Sequence, residues 1–222
     1  MGTLYLVSVP IGNLEDITMR ALRILREADI IAAEDTRRLG ILLSRHGVEA
    51  KRVVSFHDRN EHAMTPRLMG LLREGKSIAL CPEAGTPGIS DPAFLLVREA
   101  VLEGILVVPV PGPSAVLAGL VASGLPSDRF HFAGFLPKGK GQRRSALKSL
   151  SERKETVVCF ESPHRIADTL DIAAEVLPEH RLVIARELTK LHEELLRGTV
   201  AELAKSTAGR EWRGELVLLL SP

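Results

Sequence analysis

The sequence predicts an α/β protein of two domains, and three features of the residue pattern lead to this prediction. Short apolar runs alternate with helical stretches through the first half, which is typical of a mostly parallel sheet with helices on both faces. Polar residues recur directly after those runs. After Arg186 strands follow one another through short loops, so we expect a mixed sheet there. A turn-rich cluster sets the predicted domains at 1–122 and 123–222.

The elements of the first half follow from apolar spacing. Apolar and β-branched runs predict strands at 3–9, 29–33, 53–56, 77–81 and 105–109. Period-3.6 spacing predicts helices at 16–28 and 39–44, and a third that ends near Arg73. Asp91 is expected to cap a fourth helix that opens with Pro92, because proline fits the first helical position.

The second half begins with a stretch at 115–122 that is almost wholly apolar, which predicts a buried helix. Strands are predicted at 130–135, 155–160, 181–185, 193–198 and 214–220. The basic segment 137–144 is interpreted as a flexible loop. Ser162 and Pro163 are expected to open a helix that reaches Leu177, and Thr199 with Glu202 forms a capping box for a short helix.

Composition sets limits on the function. The chain has 222 residues, 45% of them hydrophobic, and its net charge of +1 does not indicate a nucleic-acid partner, so any such partner needs a local patch. Cys81 and Cys159 lie in apolar runs, which favours buried thiols in a reducing compartment. The histidines show no metal spacing, so no metal is expected. The first apolar run is too short for a membrane span, which predicts a cytoplasmic protein without a signal peptide.

The loop at 81–92 is the first candidate for a ligand site. It follows a short buried strand, is rich in Gly and Pro, and leads into a predicted helix, which is the layout in which α/β proteins hold ligands. A purely structural turn is the alternative. Glu34, Asp35, His57, Asp58 and Glu83 also follow strands, and in a parallel sheet such positions lie at one edge. Together they predict the rim of a cleft, whereas each taken alone is better explained as a solvated loop residue.

Nine segments in a fixed order then carry a resemblance. They are VPIGN, AEDTRR, HDRNE, EAGTPGISDP, VPGPSA, GLPSDRF, FESPHR, ARELTK and the closing GEL. In this order they resemble the small-subunit ribosomal RNA cytidine 2'-O-methyltransferases, a branch of the tetrapyrrole methylase superfamily. The resemblance implies two α/β domains of tetrapyrrole methylase type, S-adenosylmethionine (SAM) in a cleft between them, ribosomal RNA of the small subunit as substrate, and a homodimer.

This sequence departs from the pattern of that family in two places. Pro82-Glu83 stands where the family usually has Ser-Asp, so the acid is one methylene longer and a backbone donor is lost. Many relatives also carry a further small C-terminal domain, whereas this chain ends at Pro222. If that domain helps to hold RNA, this chain is expected to hold it otherwise.

The resemblance implies site residues of three kinds. SAM is expected to contact Pro10, Gly12, Glu83, Gly85, Thr86, Pro87, Pro113, Ser114, Ala115, Phe160, Glu161, Ser162, Leu188 and Glu215. Glycines allow close approach of the backbone, and the hydroxyls of Thr86 and Ser114 can hydrogen-bond the cofactor. Turn or helix capping is the alternative for both hydroxyls.

A ribose hydroxyl must lose its proton when it attacks, and a carboxylate, a histidine or a deprotonated lysine can accept it. The candidates for this catalytic role are His57, Glu34, Asp35, Glu187 and Lys190.

RNA phosphates are expected to contact Arg37, Arg38, Lys138, Lys140, Arg143 and Arg144. Aromatic residues make up only 4% of the chain, which argues against base stacking and for recognition of shape and backbone. Two other functions are the alternatives to an RNA methyltransferase: a tetrapyrrole methylase, and a non-catalytic ribosome-assembly factor.

Overall fold

The computed structural model describes residues 1–222 as two compact units, Met1–Ser114 and Ala115–Pro222. Each unit is a five-stranded sheet with helices packed on it. None of the helices combines the length and the apolar character that crossing a membrane requires.

The N-terminal unit is an alternation of strands and helices. Its elements are β1 Thr3–Val7, α1 Met19–Glu27, β2 Ile30–Ala33, α2 Thr36–Arg45, β3 Val53–Ser55, α3 Glu61–Arg73, β4 Ile78–Cys81, α4 Phe94–Leu102 and β5 Leu106–Val110. All strand pairs are parallel, in the order β3-β2-β4-β1-β5, which confirms the predicted parallel sheet.

Strand β4 shows why this sheet is covered on both faces. All four of its residues are buried, and successive side chains point to opposite faces. Ala79 and Cys81 belong to the core that contains Leu25 of α1 and Leu42 of α2. Ile78 and Leu80 belong to the other core, with α3 and α4. A strand buried on both faces has no polar alternation, which is why it appears in the sequence as a continuous apolar run.

The C-terminal unit has a mixed sheet. Its elements are α5 Ala115–Ser123, β6 Phe130–Phe135, α6 Lys140–Ser151, β7 Thr156–Glu161, α7 Ile166–Val176, β8 Arg181–Arg186, β9 Glu194–Thr199, α8 Val200–Ser206 and β10 Leu216–Ser221. The strand order is β6-β7-β10-β8-β9. Only β6 and β7 pair in parallel, and every other pair is antiparallel, so the predicted mixed sheet is confirmed.

Helix α5 belongs to the C-terminal unit. A Cβ on Gly119 would lie 3.4 Å from Val217 and 3.6 Å from Leu219, so the helix packs closely on β10. The division of the chain therefore falls before α5, at Ser114 and Ala115, whereas turn residues had placed the boundary after it. Turn residues mark where the chain bends, and packing decides which sheet a helix covers.

Four predicted helix starts are wrong. α2 starts at Thr36, three residues before the predicted start at Leu39, and in the other three the preceding loop extends further than predicted. α4 starts at Phe94 rather than Pro92, since Gly88 and Ser90 adopt positive φ values of 81° and 68° and prolong the turn. The helix expected from residue 16 starts at Met19 with Thr18 as its cap. The helix expected at Pro163 begins at Ile166. The capping box of Thr199 and Glu202 is confirmed.

The basic segment 137–144 is largely helical, which corrects its interpretation as a flexible loop. Helix α6 starts at Lys140 and continues to Ser151. Arg143 and Leu147, four residues apart on one helix face, are both buried and anchor the helix.

Cys81 and Cys159 are free and buried, as expected, and burial raises the pKa of each thiol to about 12.

Candidate functional site

The expected ligand loops of the N-terminal unit meet at the carboxyl ends of β4, β1 and β5, three neighbouring strands. Val9 and Gly85 exchange two backbone hydrogen bonds, with N–O distances of 2.9 and 3.0 Å. The Thr86 hydroxyl donates to the carbonyl of Pro113 at 3.1 Å and accepts from the hydroxyl of Ser8 at 3.3 Å. Loops far apart in sequence are thereby joined into one surface.

Gly85 and Thr86 have different roles on that surface. Gly85 has a φ of +77°, a conformation that suits glycine, and its backbone forms the bridge to Val9. The hydroxyl of Thr86 already has two protein partners, so it is a structural link as well as a possible ligand group. Pro10 and Pro87 are buried beside these residues, whereas Gly12 is exposed.

Carboxylates gather at the ends of the neighbouring strands β2 and β4. Glu34 accepts a hydrogen bond from the backbone N–H of Glu83 at 2.9 Å, and Glu83 pairs with Arg38 at 3.0 Å. Burial, which outweighs the Glu83 hydrogen bond, raises the pKa of Glu34 above its usual range. Burial and the neighbouring charges of Glu34, Glu83 and Asp58 raise the pKa of Asp91 to about 7.

Asp91 is a titratable residue that the sequence interpretation missed. The sequence predicts that Asp91 caps a helix, but α4 begins at Phe94 with Ala93 as its N-cap and has no side-chain cap. The sequence contains one indication of a raised pKa here. Glu34, Asp58 and Glu83 follow neighbouring strands, so negative charges are expected to crowd at this edge of the sheet. Sequence order alone does not show that Asp91 joins them.

Asp35 and His57 also lie at this edge. Asp35 caps α2 by accepting from the backbone N–H groups of Arg37 and Arg38 at 2.8 and 3.1 Å, and these bonds lower its pKa. Its role is therefore structural, and it is a weak proton acceptor. The backbone N–H of His57 donates to Asn60, and the ring Nδ1 of His57 is buried without a hydrogen-bond partner.

The C-terminal unit contains a buried polar network. Arg143 is 2% exposed, and its guanidinium donates to the carbonyls of Pro137 and Lys138 and, at 3.0 Å, to the hydroxyl of Thr169. That hydroxyl donates in turn to Glu161 at 2.7 Å. A threonine thus links a buried cation to a buried carboxylate, and every member has a partner.

Arg165 completes the network from the other side. It pairs with Glu161 at 2.6 Å and donates to the carbonyl of Leu136 at 3.2 Å. Three successive carbonyls at 136–138 are thereby held by two arginines. The loops after β6 and β7 consequently form one braced structure.

This network changes the interpretation of two predicted contacts. Arg143 was expected to contact RNA phosphate, which does not fit its burial and its three protein acceptors. Glu161 was expected to contact the cofactor, but Arg165, Thr169 and the N–H of Ser162 occupy both of its oxygens. Both residues position loops. The sequence shows a run of basic residues, and only packing selects the one that turns inward.

The other basic residues differ in how free they are. Lys140 pairs with Asp168 at 2.8 Å, and Arg144 pairs with Glu175. Lys138 is exposed and forms no ion pair. Arg37 is largely exposed, with Asp35 3.6 Å away, and Arg38 is engaged by Glu83.

The ARELTK segment after β8 forms a lock of charged groups. Glu187 accepts from Lys190 at 2.8 Å and from the backbone N–H of Glu215 at 2.9 Å, and Lys190 also pairs with Glu215 at 3.1 Å. Burial opposes both charges, but these contacts outweigh it, lowering the pKa of Glu187 and raising that of Lys190. A protonated lysine is no base, so neither residue is suited to accept a proton at neutral pH.

The remaining predicted cofactor residues lie at several places. Phe160 is half-buried at the end of β7, and Leu188 is 8% exposed and packs near Gly119 of α5. Ala115 is the first residue of α5. Ser162 is half-buried, and its hydroxyl accepts from the backbone N–H of His164 at 3.3 Å.

The joined loops of the N-terminal unit suit a ligand such as SAM. They present backbone groups of a glycine- and proline-rich surface, and carboxylates lie on the neighbouring strand ends, where they favour a positively charged sulfonium and amino group. Gly85 and Thr86 lie where these loops join.

Comparison with known sequences identifies the relationships of the chain. The profile described as Tetrapyrrole (Corrin/Porphyrin) Methylases matches residues 3–204. A protein of Halalkalibacterium halodurans named Ribosomal RNA small subunit methyltransferase I is 49% identical over 99% of this chain and 75% of its own length. A protein of the same name from Thermotoga maritima is 47% identical and covers 100% of this chain and 99% of its own length.

A solved structure supports the fold. The uroporphyrin-III C-methyl transferase of Thermus thermophilus, complexed with S-adenyl homocysteine, superposes with a TM-score of 0.68 at 19% identity, over 99% of this chain and 97% of that one. At this identity the likeness concerns the arrangement of strands and helices.

Proposed function

Because the chain belongs to the tetrapyrrole methylase family, we propose that it transfers a methyl group from SAM to the 2'-hydroxyl of a cytidine in the RNA of the small ribosomal subunit. The chain is a methyltransferase, and SAM is its methyl donor. The observation that carries the choice of ribosomal RNA is the similarity, over 99% and 100% of this chain, to the two methyltransferases named for that RNA.

The proposed donor site uses the joined loops after β1, β4 and β5. SAM, when bound, supplies an activated methyl group for in-line displacement. The chain contributes alignment through the backbone at Gly12 and Gly85 and through the hydroxyl of Thr86. Pro82-Glu83 retains a carboxylate at the edge of this surface, held by Arg38.

Glu34 and Asp91 are proposed to accept the proton of the ribose hydroxyl. Both have a raised pKa, so a proton added to either carboxylate is held more tightly than on an exposed one. Asp35, Glu187 and Lys190 are occupied by structural contacts. His57 has a buried Nδ1 without a hydrogen-bond partner and is the third proton acceptor in the proposal.

RNA is proposed to meet the cations that have no strong protein partner, Lys138 and Arg37. Each neutralised phosphate adds affinity that falls as salt concentration rises. Lys140 and Arg144 can join them only by exchanging a carboxylate for a phosphate. The site of action proposed for such an enzyme is the cytoplasm, where bacterial ribosomes are found.

A homodimer is also proposed. Helix α4 presents Phe94, Arg98, Val101 and Leu102 on one face, and its three apolar side chains are 73%, 61% and 74% exposed. The neighbouring edge strand β5 adds Leu106, which is 61% exposed. Several exposed apolar side chains on one helix face and the neighbouring strand are typical of a surface that another chain covers.

The decisive experiment is methyl transfer from labelled SAM to small ribosomal subunits, followed by nuclease digestion and identification of the modified nucleoside. We expect label in 2'-O-methylcytidine. Label in a porphyrinoid offered in parallel, with none in RNA, would reassign the substrate to a tetrapyrrole. Absence of SAM binding by calorimetry would indicate a non-catalytic RNA-binding protein.

Thr86→Val tests the donor site. The change removes a hydroxyl that links two loops and faces the proposed ligand surface, so SAM affinity is expected to fall about tenfold while RNA affinity stays within about twofold. Calorimetry with SAM and fluorescence anisotropy with RNA measure the two values. An equal loss of both affinities would show that Thr86 acts only in the structure of the loops.

A further inference from the structure

Four of the six phenylalanines of this chain lie on two neighbouring strands. Phe130, Phe132 and Phe135 belong to β6, and Phe160 lies near the end of β7. Phe160 is central: its ring centroid is 5.0 Å from that of Phe132 and 5.4 Å from that of Phe135, with interplanar angles of 68° and 61°. We call Phe132, Phe135 and Phe160 the aromatic ledge.

An irregularity in β6 builds this ledge. Phe132 pairs with Val158 and Phe135 pairs with Phe160, so β6 spends one more residue than β7 over the same stretch. Gly134, with a φ of +65°, lies in this bulge. In a regular strand, two residues three positions apart point to opposite faces of the sheet. The bulge absorbs one residue, so that Phe132 and Phe135 both lie on the face of Phe160.

The outer ring of the ledge is open. Phe135 is 57% exposed, while Phe132 and Phe160 are half-buried. β6 is an edge strand of its sheet, so no further strand lies beside it. The half-buried ring of Phe160 contacts the exposed ring of Phe135 at edge-to-face geometry and orients it. The face of Phe135 that is open to solvent is therefore presented in a fixed direction, where a planar partner can stack on it.

The chain that follows the ledge is rigid and carries positive charge. The carbonyls of Leu136, Pro137 and Lys138 are held by Arg165 and Arg143. Lys138 is exposed and has no ion-pair partner, and it lies three residues after Phe135, within about 10 Å of chain. An exposed ring next to an unpaired cation on a braced backbone matches the two features of single-stranded nucleic acid, a planar base and a phosphate.

We propose that the aromatic ledge stacks an unpaired base of the RNA substrate on Phe135 and that Lys138 binds an adjoining phosphate. The inference rests on the proposed RNA substrate and adds to it the part of the surface that holds a base. The low fraction of aromatic residues in the sequence argues against base stacking. That fraction does not reveal, however, that four of the six phenylalanines lie together on β6 and β7. A braced ledge needs little reordering on binding, which favours affinity.

The test uses a short single-stranded RNA that contains one 2-aminopurine, whose fluorescence is quenched by stacking on an aromatic ring. The intact protein is expected to quench it. Phe135→Ala and Phe135→Leu are each expected to abolish the quenching and to raise the RNA Kd about 5- to 100-fold, as for loss of one stacked base. Phe135→Tyr keeps the ring and is expected to retain both.

Matched measurements separate this proposal from its rivals. Met19→Ala removes another exposed apolar side chain, 82% exposed, and is expected to leave RNA binding unchanged. SAM affinity by calorimetry and the sedimentation coefficient are expected to be unchanged in Phe135→Ala.

Several outcomes would overturn the proposal. An intact protein that binds RNA without quenching, or a Phe135→Leu variant that binds like the intact protein, excludes stacking on this ring. A parallel loss of SAM affinity assigns the ring to the adenine of the donor. A change of sedimentation coefficient assigns it to an interface between copies of the chain. If the intact protein neither binds nor methylates RNA, the proposed function fails with it, whereas methylation unaffected by Phe135→Ala overturns the ledge alone.

Discussion

Basic residues in one short segment have different roles here, and the environment of each side chain decides its role. Arg143 is buried and holds two carbonyls and a hydroxyl, its neighbour Arg144 lies at the surface against Glu175, and Lys138 is unpaired. A buried guanidinium is tolerated only when its N–H groups are satisfied, and the Thr169 hydroxyl and loop carbonyls meet that need. Charge in the sequence therefore overstates the number of cations available to RNA.

Asp91 provides a prediction at the residue scale. Its pKa of about 7 lies above the ordinary value of 3.8, so the folded protein holds this proton more tightly than the unfolded chain does. The contribution of Asp91 to the free energy of unfolding should consequently fall as pH rises from about 4 to about 7. Asp91→Asn removes the charge and is expected to stabilise the protein by about 1–2 kcal/mol at pH 8, after allowing for solvent screening, and to lose this advantage near pH 4.

Urea unfolding at both pH values measures this difference. Asp171→Asn is the matched control, because Asp171 is exposed and lies in α7. A stability gain for Asp91→Asn that is the same at both pH values would contradict the assigned cause.

At the scale of elements, the loop after β8 is held by residues that adopt uncommon backbone conformations. Glu187 and Thr189 have φ values of 52° and 67°, although neither is glycine. Such conformations persist only where surrounding contacts enforce them. The contacts here are the hydrogen bonds of Glu187 to Lys190 and to the N–H of Glu215, the residue directly before β10. A strand end far along the chain thus shapes this loop.

Gly214 makes that arrangement possible and gives a second structural prediction. A Cβ at Gly214 would lie 2.3 Å from Cδ of Glu187, and the φ of Gly214 is +86°. Gly214→Ala must both strain the backbone and displace Glu187 from Lys190. We expect it to lower the free energy of unfolding by about 2–4 kcal/mol, as measured by urea denaturation.

Gly209→Ala isolates the backbone part of that cost. Gly209 has a similar φ of +75°, but a Cβ there would meet nothing within 4 Å. Its expected loss is about 1 kcal/mol. Equal losses for the two variants would show that displacement of Glu187 costs nothing.

At the scale of the whole molecule, two sheets of different topology carry out different tasks. The parallel sheet brings the carboxyl ends of all five strands to one edge, which gathers loops that join and acids that crowd. In the mixed sheet β10 runs antiparallel to β7 and β8, so its start lies beside their ends. This arrangement brings Glu215 next to Glu187 and Lys190. Each topology fixes which loops meet, and the residues on those loops set the chemistry.

The proposed dimer is tested at this scale. Leu102→Lys places a charge in the apolar stripe of α4 and is expected to raise the dimer Kd about 100-fold or more, because a lysine cannot be buried there without a partner. Sedimentation velocity follows the change. Leu191→Lys, at a side chain that is 93% exposed, should leave the association state unaltered. A wild-type protein that sediments as a monomer would contradict the proposed homodimer.

The sequence by itself determined the kind of each sheet, most strands, the capping box of α8 and the family, because apolar period, turn residues and the nine ordered segments are local properties of the chain. The tertiary structure alone decided that α5 covers the second sheet, that Arg143 turns inward, that Asp91 joins other acids, and that a bulge aligns Phe132 with Phe135. These outcomes depend on contacts between residues distant in sequence, where burial and neighbouring charge, rather than residue type, set what a side chain can do.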